Sequence, residues 1–165
     1  MKKILLLMAA ILISGLSCGS PKTADQAYHD YLMAIKERNA AKLYNLMTPE
    51  AQRKLDALAV KHTQVEADKP KPGRKYLKEK LDVCAESGEF NDMTEHITDD
   101  LIKRLTPMGE VKADTAVFPG ALGEKATFEK RDDGWRLKDE EATTLVERME
   151  RINNRNKGKN EETNP

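Results

Sequence analysis

Apolar residues recur at helical spacing through the first part of the chain. Thr23 and Gln26 form a capping-box pattern, and the apolar residues that follow predict a first helix over residues 24–37. A second helix capped by Asn39 and a third helix begun by Pro49 are expected on similar grounds. The third helix is predicted to bury Ala51, Leu55, Leu58, Ala59 and His62.

A proline-rich loop is predicted at residues 66–74, followed by more helix. Beyond this loop, the spacing of Tyr76, Leu77, Leu81 and Cys84 predicts a fourth helix that closes at Ser87-Gly88. Residues 93–105 are also expected to be helical. A restart at Thr98 fits this stretch, because its hydroxyl can cap the segment that follows.

The pattern changes from helical to alternating after Gly109. One predicted strand ends at Pro119 and a second is marked by Ala126 and Phe128. Asp133-Gly134 is a hairpin-turn dipeptide, so a third strand should follow it and give an antiparallel meander of at least three strands. The first of these strands is predicted to direct Val111, Ala113, Thr115 and Val117 to one face.

A last helix is predicted after the strands, with Asp139 as its cap. Its apolar stripe can be part of the core or a docking surface for a partner, and core is favoured because so polar a domain needs the burial. Nothing apolar follows the stripe, so residues 153–165 are predicted to be a disordered tail. The stripe consists of Ala142, Leu145, Val146, Met149 and Ile152.

The first residues of the chain have the three parts of a secretory signal peptide. Lys2 and Lys3 precede an apolar run, which leads into a zone of small residues before Cys18. A spanning helix needs about 20 apolar residues, so this run is too short for one. Cleavage before Cys18 is therefore expected, with residues 1–17 as the signal peptide and residues 18–22 as a tether.

The tetrapeptide from Gly15 to Cys18 resembles the lipobox of bacterial lipoprotein precursors, although leucine is usual where Gly15 stands. The resemblance implies that Cys18 carries lipid and that the protein is bound to a membrane of the bacterial envelope. Gly15 and Ser17 also satisfy the rule for an ordinary signal peptidase, which would leave a secreted protein with an unmodified Cys18.

Composition favours one folded domain over residues 23–152. The 28 basic residues balance the 28 acidic ones, so the net charge gives no indication of a nucleic-acid partner. Arg136 and Lys138 are expected to be ordinary solvated charges. If Cys18 is lipidated, Cys84 should be a small buried hydrophobic residue, whereas an unmodified Cys18 can pair with Cys84 in an oxidising compartment.

Two segments resemble the nuclear-transport-factor-2-like superfamily of α+β domains. Residues 27–51 are similar to its opening helices, and residues 126–137 are similar to its closing hairpin. The resemblance implies N-terminal helices packed on a small curved antiparallel sheet, with a conical pocket between them. The helices expected between Pro49 and Leu105 and the additional C-terminal helix depart from the family pattern.

The superfamily includes enzymes of the ketosteroid isomerase type, so the resemblance implies a possible catalytic role for tyrosines of the first helix. Tyr28 or Tyr31 would polarise a carbonyl group while a carboxylate moves a proton, but the strand aspartate expected after the second helix is missing. The alternative for both tyrosines is packing between helix and sheet. A small pocket enzyme of the isomerase or dehydratase type is therefore the second hypothesis, behind a non-catalytic domain that binds a ligand or a protein partner.

The sequence gives little support for a metal site or for other catalytic motifs. Asp92, His96, Asp99 and Asp100 would lie near one another on a helix, but an acidic, solvated helix start is the preferred interpretation. The sequence has no nucleophilic triad, glycine-rich phosphate loop or cysteine-pair motif. No cofactor is expected, and Cys18 is the one residue to which the sequence assigns a role.

Overall fold

The computed structural model describes residues 20–63 and 71–162 and has the expected α+β fold. Six helices precede the strands within these residues, and one helix follows them. The helices are α1 (Ala24–Lys36), α2 (Ala40–Leu46), α3 (Pro49–Thr63), α4 (Pro72–Cys84), α5 (Gly88–Glu95), α6 (Asp99–Leu105) and α7 (Asp139–Glu162). The strands are β1 (Glu110–Val111), β2 (Thr115–Pro119), β3 (Lys125–Arg131) and β4 (Gly134–Leu137), and a short 3-10 helix covers Thr106–Met108.

Three predicted helix caps are confirmed. The Thr23 hydroxyl oxygen accepts the Gln26 backbone N–H at 3.1 Å, and the Asn39 side-chain oxygen accepts that of Lys42 at 3.0 Å. Thr98 does the same for Leu101 at 3.2 Å, which divides the predicted 93–105 helix into α5 and α6. Each cap satisfies a backbone donor that the first turn of a helix leaves without a partner.

Some predicted helix boundaries were wrong. Pro72 begins α4, so residues 72–74 are helical and not loop, because proline suits the first turn of a helix. Ser87 lies at the N-cap position of α5 without a side-chain hydrogen bond to the helix, and α4 already ends at Cys84. His62 is exposed and its ring stacks on that of Tyr76 at 6.3 Å, so it is not part of the buried side of α3. Residues 66–70 of the predicted loop lie outside the described residues.

The sheet is an antiparallel meander in the order β1-β2-β3-β4, as predicted, but the single first strand that was expected to carry Val111, Ala113, Thr115 and Val117 is divided into β1 and β2. A turn separates β1 from β2, and Ala116 and Phe118 point into the core while Val111 is 55% exposed. The reason is that Phe118 stacks on Tyr28 at 4.4 Å between ring centres. The packing of Phe118, the largest apolar side chain of β2, determines which face of the strand is buried. Val117 lies on the other face.

The outer edge of β4 is covered by other parts of the chain. The Thr48 backbone N–H donates to the Leu137 carbonyl oxygen at 3.0 Å, and the Trp135 N–H donates to the Pro21 carbonyl oxygen at 2.9 Å. Met47 forms an isolated parallel bridge with Leu137. Two backbone groups on this edge of β4 thus have partners without a further strand.

The core lies between α1, the sheet and the helices α3, α4 and α7. The stripe of α7 is fully buried, with Leu145 and Met149 at its centre, so its assignment to the core is confirmed. The helix continues to Glu162, and the prediction of disorder was therefore wrong for residues 153–162. Polar residues can extend a helix that has already been nucleated by packing, and Arg155 also pairs with Glu89 at 2.8 Å.

No helix among residues 20–63 and 71–162 is both long enough and apolar enough to cross a membrane.

Candidate functional site

The segment just after the predicted cleavage site is packed against the sheet. Cys18 lies outside the described residues, and the described chain begins at Ser20. Pro21 is buried, and its carbonyl oxygen accepts the backbone N–H of Trp135 on β4. Residues 20–22 are therefore held by the fold and do not form the tether predicted for residues 18–22.

Gly134 permits this close approach. Its φ of +136° lies in a region that L side chains rarely adopt, and a Cβ atom at this position would lie 2.4 Å from the Pro21 carbonyl oxygen. The two-residue turn is Asp132-Asp133, with Gly134 already paired to Arg131. The turn predicted at Asp133-Gly134 was thus one residue late, because the glycine serves the contact with Pro21.

Arg136 joins three parts of the chain and is not the solvated charge that was predicted. Its guanidinium donates to the Ser20 hydroxyl oxygen at 2.6 Å, to the carbonyl oxygen of Asn45 and to the carboxylate of Asp133. The side chain is only 17% exposed. The hydrogen bond from Arg136 holds the pKa of the Asp133 carboxyl below its usual value.

A cleft of about 680 Å³ opens beside these contacts, and we call it the anchor-side cleft. It lies between α2, the start of α3 and the turn that joins β3 to β4. Its charges are of both signs, and Lys42 pairs with Asp30 at 3.0 Å across it. The polar lining includes Asp30, Lys42, Asn45, Gln52, Lys130 and Arg136.

Tyr31, one of the two tyrosines named above, contacts a buried carboxylate. Its hydroxyl donates to Glu124, which is 9% exposed, and the Leu122 backbone N–H donates to the other carboxylate oxygen at 2.9 Å. A Cβ atom at Gly120 would lie 2.5 Å from the Glu124 carboxyl group, so this glycine makes room for it. Burial, and then the charge of Glu124, raise the pKa of Tyr31 well above its usual value.

Tyr28 is fully buried, and its hydroxyl has no hydrogen-bond partner among the described residues. Burial and the charge of Glu124 raise the pKa of Tyr28 to about 12. Neither Tyr28 nor Tyr31 lines the anchor-side cleft. Sequence reasoning missed Glu124, because the glycines near it in the β2–β3 loop indicate only a turn and give no sign that its side chain is buried.

The four residues considered for a metal site are not assembled. His96 pairs with its neighbour Glu95 at 3.2 Å, while Asp99 contacts His29 on α1 at 3.3 Å. In the described residues, no three His, Cys, Asp or Glu side chains are arranged to hold a metal ion.

Cys84 is a buried residue of the core, as predicted. Its thiol donates to the Met149 carbonyl oxygen at 3.4 Å, and burial raises its pKa to about 12. A thiol with so high a pKa is almost entirely protonated at neutral pH and hence a poor nucleophile. The alternative of a Cys18–Cys84 disulfide depends on Cys18, which lies outside the described residues.

No protein-family model, curated protein or solved structure matches this chain.

Proposed function

We propose that this chain is a lipid-anchored protein of the bacterial envelope, whose single α+β domain binds a ligand or partner without catalysing a reaction. The packing of Ser20 and Pro21 against β4 supports the proposal. Both residues follow the bond that is predicted to be cleaved, so cleavage before Cys18 would leave these contacts in place.

The packed segment would also hold the domain close to the membrane. Only Gly19 separates Cys18 from Ser20, and two residues of chain span at most about 7 Å. Lipid on Cys18 would then keep the turn between β3 and β4, and the anchor-side cleft beside it, near the headgroups. One acyl chain gives only marginal binding, but lipoproteins carry several, which makes anchoring stable.

Metabolic labelling with a fatty-acid analogue tests the anchor. We expect the wild-type chain to take up the label and to partition into the detergent phase, and Cys18→Ala to lose both properties. Cys84→Ala is the matched control and should behave as the wild type, because Cys84 is buried. Label that survives Cys18→Ala, or a wild-type chain without label, would refute the proposal.

A small pocket enzyme of the isomerase or dehydratase type is the second candidate. The contact between Tyr31 and the Glu124 carboxylate favours it, because such enzymes pair a tyrosine with a buried carboxylate. It takes second place because Tyr31 is only 1% exposed, so a substrate would need the β2–β3 loop to move first.

Replacing Tyr31 with phenylalanine distinguishes a structural role from a catalytic one. We expect Tyr31→Phe to lower the free energy of unfolding by about 1–3 kcal/mol, because the buried Glu124 carboxylate loses a donor. Urea denaturation measures the change. Tyr28→Phe is the control and should not destabilise the domain, since the Tyr28 hydroxyl has no partner among the described residues. Unchanged or higher stability of Tyr31→Phe would instead favour the enzyme, because catalytic groups are commonly kept at a cost to stability.

A further inference from the structure

A second pocket, of about 730 Å³, lies where the corner between α1 and α2 faces α4. Five of its nine lining residues are basic, and Glu37 is the one acidic residue among them. We call it the basic pocket. The five basic residues are Arg38, Lys71, Arg74, Lys75 and Lys78.

The fold brings these side chains together from two directions. Lys71, Arg74, Lys75 and Lys78 have the i, i+3, i+4, i+7 spacing that places residues on one face of a helix, here at the start of α4. Arg38 follows the end of α1 on the opposite wall. This spacing is present in the sequence. The loop predicted at residues 66–74 included Lys71 and Arg74, however, and so separated them from Lys75 and Lys78.

Asp56 of α3 fixes the position of α4 beside the pocket. Its carboxylate accepts the Gly73 backbone N–H at 2.8 Å and the Tyr44 hydroxyl at 2.9 Å. A Cβ atom at position 73 would lie 2.6 Å from the Asp56 carboxylate, so glycine is required for this close contact. The start of α4 is thus held in place by contacts that do not involve its basic side chains.

Three of the five cations have no counter-charge in the described part of the chain. Lys75 and Lys78 pair with Glu79 and Asp82 along α4. Arg38, Lys71 and Arg74 make no such ion pair with a described carboxylate, and only a contact of the Lys71 ammonium with the Tyr44 ring, 6.0 Å from its centre, is formed. Like charges brought together in a concave surface repel one another and attract an anion.

Two of these residues also have a costly backbone conformation. Arg38 has a φ of 54° and Lys71 a φ of 53°, and no other non-glycine residue in the described segments has a positive φ. Glycine or asparagine would fit such positions at lower cost. Both of these outliers supply a positive charge to the same pocket.

We propose that the basic pocket binds a phosphate-bearing solute with at least two negative charges. Arginine and lysine are the residues that proteins use for phosphate, and a single monovalent anion would leave most of the charge of Arg38, Lys71 and Arg74 uncompensated. The pocket volume leaves room for more than one phosphate group.

The position of the pocket favours a solute over the headgroups of the anchoring membrane. The basic pocket lies at the C-terminal end of α1, whereas Ser20 and Pro21 precede the N-terminal end. A helix of 13 residues separates these ends by about 20 Å. This assignment of the source rests on the proposed anchor at Cys18, but binding of phosphate in the pocket does not.

Calorimetric titration of the full chain in neutral detergent micelles with tripolyphosphate tests the proposal. The test variant is Arg38→Gly/Lys71→Gly, because glycine removes two charges from positions where it also suits the backbone. The matched control is Lys112→Gln/Lys125→Gln, which removes two exposed charges, one between β1 and β2 and one on β3. Urea denaturation of each variant reports on folding.

We expect saturable binding that falls about tenfold or more in Arg38→Gly/Lys71→Gly and is unchanged in the control. The urea midpoint of the test variant should be equal to or higher than that of the wild type. No saturable binding, or an equal loss in the control, would overturn the proposal. If phosphatidylglycerol added to the micelles competes with tripolyphosphate, the ligand is a lipid headgroup and not a solute. This conclusion would hold whatever the outcome of the labelling of Cys18.

Discussion

Deleting α7 from Asp139 onward is expected to abolish folding of the domain. Five apolar side chains of this helix are buried, and each of the four that are larger than alanine contributes about 1.5–3 kcal/mol when it is removed from water. The total is comparable to the whole stability of a typical domain, about 5–15 kcal/mol. Circular dichroism and urea denaturation should show a chain without a cooperative transition. The five residues are Ala142, Leu145, Val146, Met149 and Ile152.

A chain that ends at Arg155 is the matched control. It keeps the whole stripe, from Ala142 to Ile152, and we expect it to unfold cooperatively near the wild-type urea midpoint. A cooperative transition in the Asp139 deletion would contradict the structure and would make α7 a docking helix instead of a part of the core.

Gly134→Ala is expected to lower the free energy of unfolding by about 2–4 kcal/mol. A non-glycine residue at a φ of +136° costs about 1–3 kcal/mol, and the new Cβ atom would also displace Pro21 from β4. The Trp135 backbone N–H would then lose its partner. Urea denaturation measures the stability, and faster proteolysis after Lys22 would report the detached segment.

Gly88→Ala is the control for this substitution. Gly88 begins α5, has no positive φ, and has open space where a Cβ atom would be placed. Alanine there should leave stability unchanged or raise it by up to about 1 kcal/mol. If Gly134→Ala were as stable as Gly88→Ala, the close contact between Gly134 and Pro21 would be wrong.

The elements that the sequence predicted well depend on neighbouring residues. The caps at Thr23, Asn39 and Thr98 and the stripe of α7 follow from spacings of three or four residues, which a helix brings together wherever it lies. The sequence did not predict which face of β2 is buried, because this depends on a distant partner, Tyr28. Alternation alone cannot distinguish the two faces of a short strand.

The candidate sites were harder to predict for the same reason. Arg136 binds Ser20 across more than a hundred residues of sequence, and Tyr31 meets Glu124 across a similar distance. Neither pairing leaves a local pattern. The basic pocket was missed because the prolines before Gly73 indicated a loop. Pro72 in fact begins the helix that carries three of the five cations, and a fourth, Lys71, is the N-cap residue of that helix.

The covered edge of β4 has a further consequence if the chain is anchored to a membrane as proposed. Anchoring many copies in a bilayer raises their local concentration and brings their sheets to the same height, which favours pairing between exposed strand edges. Pro21 and Thr48 each bond one backbone group of β4, and the opposite edge, β1, is only two residues long. A crowded layer of this domain is therefore expected to remain dispersed and not to join into a continuous sheet.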